Sequence, residues 1–445
     1  MLPFLLWSCT SHPLQEPDPD PVAETAQYRE VNPIRNVDIL FIVDDSGSMR
    51  QEQGNLSRNF PIFMDELAGI QGADLQIAVA STDLGAGTGT PDNQCALAPG
   101  DGGVFCRAGG MDLCSSCMID TSNGRFLRTV NPNFPGDIRS AFTCIASMGT
   151  TGCGYEHSLG ALRSALTAPE NQGFVREDAY LAFVIITDED DCTAPPDTDF
   201  FSMDSPGQSL SLRCSLQAHV CNGQRNTGME EVDFPFSQCG TAPADGVLVP
   251  LSDLVGSVLE VKKDPSLVIA AGIFGWPSNE ANARYEISPR GGGNLDLDPV
   301  CSSSNGSAIP AFRVRDFVQS FPNNSTYSIC QDDFREAMRR IGEKIRATVG
   351  PPCIAHPLVD IDPDTSGLQP DCNVVETRPR DGGGSDQVLI PRCPGVDGEP
   401  CWELRADGQC TESGHLVEID RRGGQPVEGT RQAIRCLTCA GDDCD

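Results

Sequence analysis

Six consecutive residues, Asp44-Asp45-Ser46-Gly47-Ser48-Met49, follow directly on the apolar run Ile39-Leu40-Phe41-Ile42-Val43. A buried strand emptying into Asp-x-Ser-x-Ser sets a carboxylate and two hydroxyls on one tight loop. In open α/β sheets, ligand sites lie at that carboxyl edge of the strands. Hard oxygen donors at this spacing suit Mg²⁺ or Ca²⁺ and suit soft metals badly. Turn chemistry alone, in which Asp and Ser bond their own backbone, produces the same residues. The preceding buried strand argues for the ion.

The rest of the chain supplies the frame such a loop needs. A helix carrying Leu56, Phe60, Phe63, Met64 and Leu67 on one face follows the first strand, and Pro61 should kink it or shift its start. Strands are expected at Leu75–Ala80, Tyr180–Ile186 and Leu267–Phe274, with helices around Leu159–Leu166, Val249–Val261 and Phe334–Ile345. Strands alternating with helices mean a doubly wound, mostly parallel α/β sheet. A second acidic loop, Thr187-Asp188-Glu189, closes the near-continuous apolar strand Tyr180–Ile186. Asp190 and Asp191 extend it; a second ion there is the alternative, and a solvated acidic loop is the reading taken.

Together the two loops resemble the metal-ion-dependent adhesion site of von Willebrand factor A (VWA) domains, over residues 36–350. The resemblance implies a Rossmann-like domain in which Asp44, Ser46 and Ser48 bind the ion and Asp188 sits beside it, directly or through water. The family's remaining position is a Thr in the loop before a helix. Here that slot falls near Glu156, with Thr150 and Thr151 several residues too early. As a ligand, Glu156 would join Asp44 and Asp188 in neutralising the dication, giving tighter ion binding but less attraction for an acidic partner. The other reading makes Glu156 a first-turn residue stabilised by the helix dipole. The ligand reading is taken.

Charge and cysteine use bound the compartment and the partners. Lys and Arg total 31 against 63 Asp and Glu, a formal net charge of −32 over 445 residues. Such a field repels phosphate backbones and attracts divalent cations, so nucleic acid is excluded as a partner. Twenty-one cysteines with 45 Gly and 34 Pro indicate a loop-rich chain stapled in an oxidising compartment. Leu6-Trp7-Ser8-Cys9 resembles a bacterial lipobox, in which the cysteine becomes the lipidated first residue. Removing Cys9 leaves an even number of cysteines. No Lys or Arg precedes Cys9, which points to a start codon upstream. Membrane contact is then by lipid anchor only, and Thr10 after Cys9 is compatible with outer-membrane sorting.

These signals divide the chain into a truncated lipoprotein signal (1–9), a disordered acidic Pro-rich linker (10–35), the VWA-like domain (36–350) and a small disulfide-rich β-domain (351–445). Two Cys-rich insertions, 84–125 and 192–248, hold enough cysteines to close two bridges each and are candidate rims of the binding surface. Asp360, Asp362 and Asp364 are read as an acidic linker turn rather than a calcium loop. Cys114-x-x-Cys117 and Cys436-x-x-Cys439 have redox-dithiol spacing, but in so cysteine-rich a chain ordinary disulfides are the better account. His157 is read as a helix-surface residue. With neither an H-E-x-x-H nor a G-x-S-x-G pattern present, a non-enzymatic function is expected. That function is divalent-cation-dependent binding of a protein or cell-surface ligand by a lipid-anchored envelope protein. The alternatives are a disulfide-built envelope or matrix scaffold with a purely structural ion, and a thiol oxidoreductase.

Overall fold

The computed structural model describes residues 24–29 and 36–438, apart from 69–73, 88–94, 96–97, 178, 199, 202–208, 291–293, 305, 350–353, 355–356, 381–384, 407–409, 411–413 and 423–430. Cys9 and its lipobox therefore lie outside the described residues. The chain divides into two compact units, Asn32–Gly350 and a second made of Met1–Val31 with Pro351–Asp445.

The larger unit is built on one sheet. Its strands are β1 (Val37–Val43), β2 (Leu75–Ser81), β3 (Leu127–Arg128), β4 (Tyr180–Ile186), β5 (Val268–Phe274) and β6 (Asn323–Ser328). They lie in the order β6-β5-β4-β1-β2-β3, parallel except for β3, which runs antiparallel to β2. Because side chains alternate across a strand, each central strand feeds two cores. Ile39, Phe41 and Val43 pack with helices α1 (Arg50–Ala68), α2 (Ile138–Ala146) and α6 (Arg335–Val349). Leu40 and Ile42 pack with α3 (Ser158–Thr167), α4 (Leu251–Val261) and α5 (Phe312–Gln319). Helices thus cover both faces, which is why β1 and β4 are buried along their whole length. Pro61 sits inside α1 without ending it, and the helix begins at Arg50.

Register brings the carboxyl ends of three strands level. Val43 pairs with Ser81 of β2 and with Ile186 of β4. The next residues, Asp44, Thr82 and Thr187, therefore emerge side by side. Both insertions fold onto this edge. In 192–248 the bridges Cys192–Cys214 and Cys221–Cys239 are internal, as expected. In 84–125 only Cys106–Cys114 is; Cys95 joins Cys153 and Cys117 joins Cys144. That insertion is sewn to the loop before α3 and to α2, a pairing that spacing alone does not reveal.

The smaller unit carries a four-stranded antiparallel sheet of Glu24–Arg29, Arg431–Leu437, Cys372–Pro379 and Ser385–Ile390, with a separate ribbon of Cys401–Ala406 and His415–Asp420. Cys372–Cys436 and Cys393–Cys401 staple it around Val374, Ile390, Trp402 and Ile434. Glu24–Arg29 corrects the expectation of a linker running through residue 35: these residues pair with a strand some 400 positions away. A composition window dominated by the neighbouring prolines and acids masks so short a strand. Asp360 and Asp362 form a solvent-exposed turn, accepting from Asp362 N, Gln369 N and Thr365 Oγ1.

Candidate metal centre

The loop after β1 starts in the sheet, with Asp44 N donating to Ile186 O at 2.9 Å, and is gripped from α1 by Gln53 Nε2 on Asp44 O. Within it Ser46 N donates to Asp44 Oδ1 at 2.9 Å, while Asp44 Oδ2 accepts from Thr187 Oγ1 at 2.8 Å. The hydroxyls of Ser46 and Ser48 lie 2.9 Å apart, and Ser48 Oγ donates to Asp188 Oδ1 at 3.2 Å. The structure therefore brings Asp44, Ser46, Ser48 and Asp188 into one continuous polar chain. Ser48 alone of these is exposed; Asp44, Ser46 and Asp188 are buried.

Glu156 lies two positions before α3, preceding the N-cap residue His157. Its side chain is buried rather than displayed on a helix turn, and Oε2 accepts from Thr82 Oγ1 at 2.5 Å. Its other oxygen, Oε1, is buried with no partner. The loop that carries it is fixed on three sides: Gly152 N donates to Asp45 O, His157 N to Thr82 O, and Cys192 N to Glu156 O. Thr150 and Thr151 stand earlier in the same loop, as the sequence spacing requires. His157 is itself buried, its Nε2 3.0 Å from Gly85 O and its ring edge-on to Phe201, which corrects its reading as a surface residue. Burial holds that imidazole below its usual range.

Electrostatics at this edge are one-signed. Burial raises the carboxyls of Glu156 and Asp188 well above the usual range, and the charges of Asp44 and Glu189 raise both further. Glu52, on the first turn of α1, is pushed up to about 7 by burial and then by Asp44. Glu189 is pushed up to about 8, again by burial first, although Ser211 Oγ donates to it. Among the described residues, none of Asp44, Asp188, Glu156, Glu52 and Glu189 takes part in an ion pair. Orphaned oxygens and uncompensated carboxylates beside two hydroxyls are the donor chemistry of a hard dication. As they stand, no three His, Cys, Asp or Glu side chains among the described residues are drawn into a ready coordination sphere. The serine hydroxyls and water would have to complete it.

Asp190 and Asp191 are not a solvated loop. Asp190 accepts from Arg313 N and Val314 N at the start of α5 and from His219 Nε2 at 2.8 Å. Asp191 accepts from Leu159 N at the start of α3 and from Arg313 Nε and Nη2. The two carboxylates tie the β4 loop to two helix N-termini, where the dipoles favour negative charge. Sequence reading placed both carboxylates in solvent, gave Thr187 no role of its own, and did not single out Thr82 or Glu52. The signal available for Thr82 was its place directly after β2, at the edge where ligand sites lie.

No family model matches the sequence, and no curated protein matches it. Solved structures give loose likenesses. A von Willebrand factor type A protein from Catenulispora acidiphila matches at TM-score 0.31 and 11% identity, over 92% of this chain and 59% of that one. The pilus adhesin SpaC from Lactobacillus rhamnosus GG matches at 0.30 and 9%, over 95% and 44%. The PilB minor pilin from Streptococcus sanguinis matches at 0.29 and 12%, over 71% and 63%. The chain spans less than two thirds of the length of each.

Proposed function

We propose that the larger unit is a doubly wound VWA-like domain that binds a protein or cell-surface ligand through a Mg²⁺ or Ca²⁺ ion. Asp44, Ser46 and Ser48 would hold the ion, with Asp188 beside it and Glu156 as an added anionic donor. One observation carries this reading: the Asp44–Ser46–Ser48–Asp188 chain, assembled from the carboxyl ends of two adjacent parallel strands, with its hydroxyl end at Ser48 open to solvent. An ion bound there is a recognition element, offering a coordination position to a partner's oxygen. Eight disulfides join described cysteines, the habit of an extracytoplasmic protein. No helix among the described residues is long and apolar enough to cross a membrane. A lipid anchor at Cys9 and an outer-membrane location complete the proposal and rest on the Leu6–Cys9 sequence and Thr10.

A structural ion is the second reading, and the burial of Asp44, Ser46, Asp188 and Glu156 favours it. Calorimetric titration of Mg²⁺ and Ca²⁺ into chelator-stripped protein tests the site. Asp44→Ala should bind one ion fewer than wild type, and Glu156→Thr should weaken binding of that ion. Unchanged binding in Asp44→Ala would sink the assignment. Adhesion of the loaded protein to cells or matrix then separates the readings, since a structural ion leaves adhesion intact wherever Asp44→Ala still folds. The oxidoreductase alternative meets a direct obstacle: Cys114 pairs with Cys106, Cys117 with Cys144 and Cys436 with Cys372, so neither C-x-x-C forms a dithiol pair.

A further inference from the structure

Asp45 belongs to the Asp-x-Ser-x-Ser loop yet takes no part in its chain of hydrogen bonds. Its side chain is fully buried, and neither carboxylate oxygen has a partner. An isolated ionised carboxylate in that position is strongly disfavoured, because burial removes the water that would solvate it. Neither oxygen accepts a hydrogen bond, so no donor within the described protein offsets that cost. A cation would.

The surroundings fit one. Asp83 and Asp101 are, with Asp44, the charges that Asp45 feels most strongly. Both are held by donors alone. Asp83 accepts from Gly85 N at 2.7 Å and Cys153 N at 3.3 Å. Asp101 accepts from Ser81 Oγ and Gly109 N at 2.9 Å and from Gly110 N at 3.1 Å. A carboxylate offers about four lone-pair sites, so Asp83 and Asp101 retain capacity after these bonds and Asp45 retains all of it. The peptide Gly152–Cys153 joins the groups: Cys153 N reaches Asp83, and Gly152 lies so close to Asp45 that a Cβ there would fall 2.3 Å from Oδ1 and 2.7 Å from Oδ2. The missing side chain leaves the carboxylate its space.

We propose that Asp45, together with Asp83 and Asp101, holds a second hard divalent cation, separate from the one at Asp44, Ser46 and Ser48. These carboxylates do not close a coordination sphere by themselves. Backbone carbonyls and water would fill the remainder, and so irregular an oxygen shell suits Ca²⁺ better than Mg²⁺.

The test is Ca²⁺ stoichiometry on the full oxidised chain after chelator stripping, by calorimetry with elemental analysis. Asp44→Ala is expected to keep one bound ion, and Asp45→Asn to bind one fewer than wild type. Asp44→Ala that binds no Ca²⁺, or Asp45→Asn that binds as many ions as wild type, overturns the proposal. Should Asp45→Asn fail to fold, Asp83→Asn is read instead, with the same loss expected and an unchanged count overturning it. An ion lost in Asp45→Asn but wholly retained in Asp44→Ala would uphold this second site and refute the first.

Discussion

Replacing Arg313 with Met removes the cation from a fully enclosed pair while keeping most of the side-chain length. Arg313 donates Nε at 3.2 Å and Nη2 at 3.0 Å to Asp191 Oδ2, and Nη2 also reaches Val249 O at 2.9 Å. The side chains of the two partners are 5% and 0% exposed, so water cannot take over. In Arg313→Met, Asp191 keeps only Leu159 N and Thr193 Oγ1. Breaking a buried pair by deleting one partner costs about 3–5 kcal/mol. With an unfolding entropy of about 2.1 cal/mol/K per residue, a unit spanning Asn32–Gly350 should lose roughly 4–8 °C in Tm. Scanning calorimetry of the oxidised protein at fixed cation concentration and scan rate measures it. Adding Asp191→Asn removes the stranded charge while keeping an acceptor for Leu159 N, so the double variant should regain most of the loss. A single variant within about 1 °C of wild type, or a double variant less stable than the single, would refute the reasoning.

Three further outcomes are expected. Without divalent cations the protein should lose stability as pH rises from about 4.5 to about 8, because folded Glu52 (about 7) and Glu189 (about 8) hold protons that the unfolded chain releases above 4.5. Urea midpoints in chelator at about pH 5 and about pH 8 would show it, and a midpoint that is flat or rises with pH contradicts it. Gly152→Ala should cost about 1–3 kcal/mol, since its methyl must displace the Asp45 carboxylate; a neutral effect on the urea midpoint would mean the loop yields freely. Peptide mapping without reduction should recover Cys106–Cys114 and Cys117–Cys144, and a Cys114–Cys117 peptide would disprove the described pairing.

Strands β1, β2, β4 and β5 were legible because they are buried on both faces and read as mostly apolar runs, interrupted only near their starts by Asp38 in β1 and Gln76 in β2. β6 was not. Its sequence, Asn-Asn-Ser-Thr-Tyr-Ser, lies at the sheet edge, half-exposed, and carries no hydrophobic signature. Helix α5 is short, and its apolar residues alternate with Arg313, Arg315 and Asp316, which pair partly with each other and partly with Asp191, Trp276 and Thr241 on distant segments. The motif residues Asp44, Ser46, Ser48 and Asp188 could be placed from sequence because each follows an apolar strand at a fixed offset. Asp83 and Asp101 could not, because Asp101 reaches Ser81 at the end of β2 only through the 84–125 insertion folding back over that strand. The disulfide network was invisible for the same reason: a cysteine's partner is chosen by the fold, not by spacing.

The bridge Cys95–Cys153 closes a loop across 58 positions of sequence and fixes the peptide just ahead of Glu156. By the loop-closure relation, such a link takes about 4 kcal/mol of freedom from the unfolded chain. In a reduced chain, Gly152 and Glu156 would belong to a tethered but wandering segment, and the acidic edge would lack one wall. Oxidation thus acts as an assembly licence. Under the proposed function, full cation affinity would come only in a compartment that makes disulfides, and newly made chains in a reducing interior would not compete for the cell's own divalent ions.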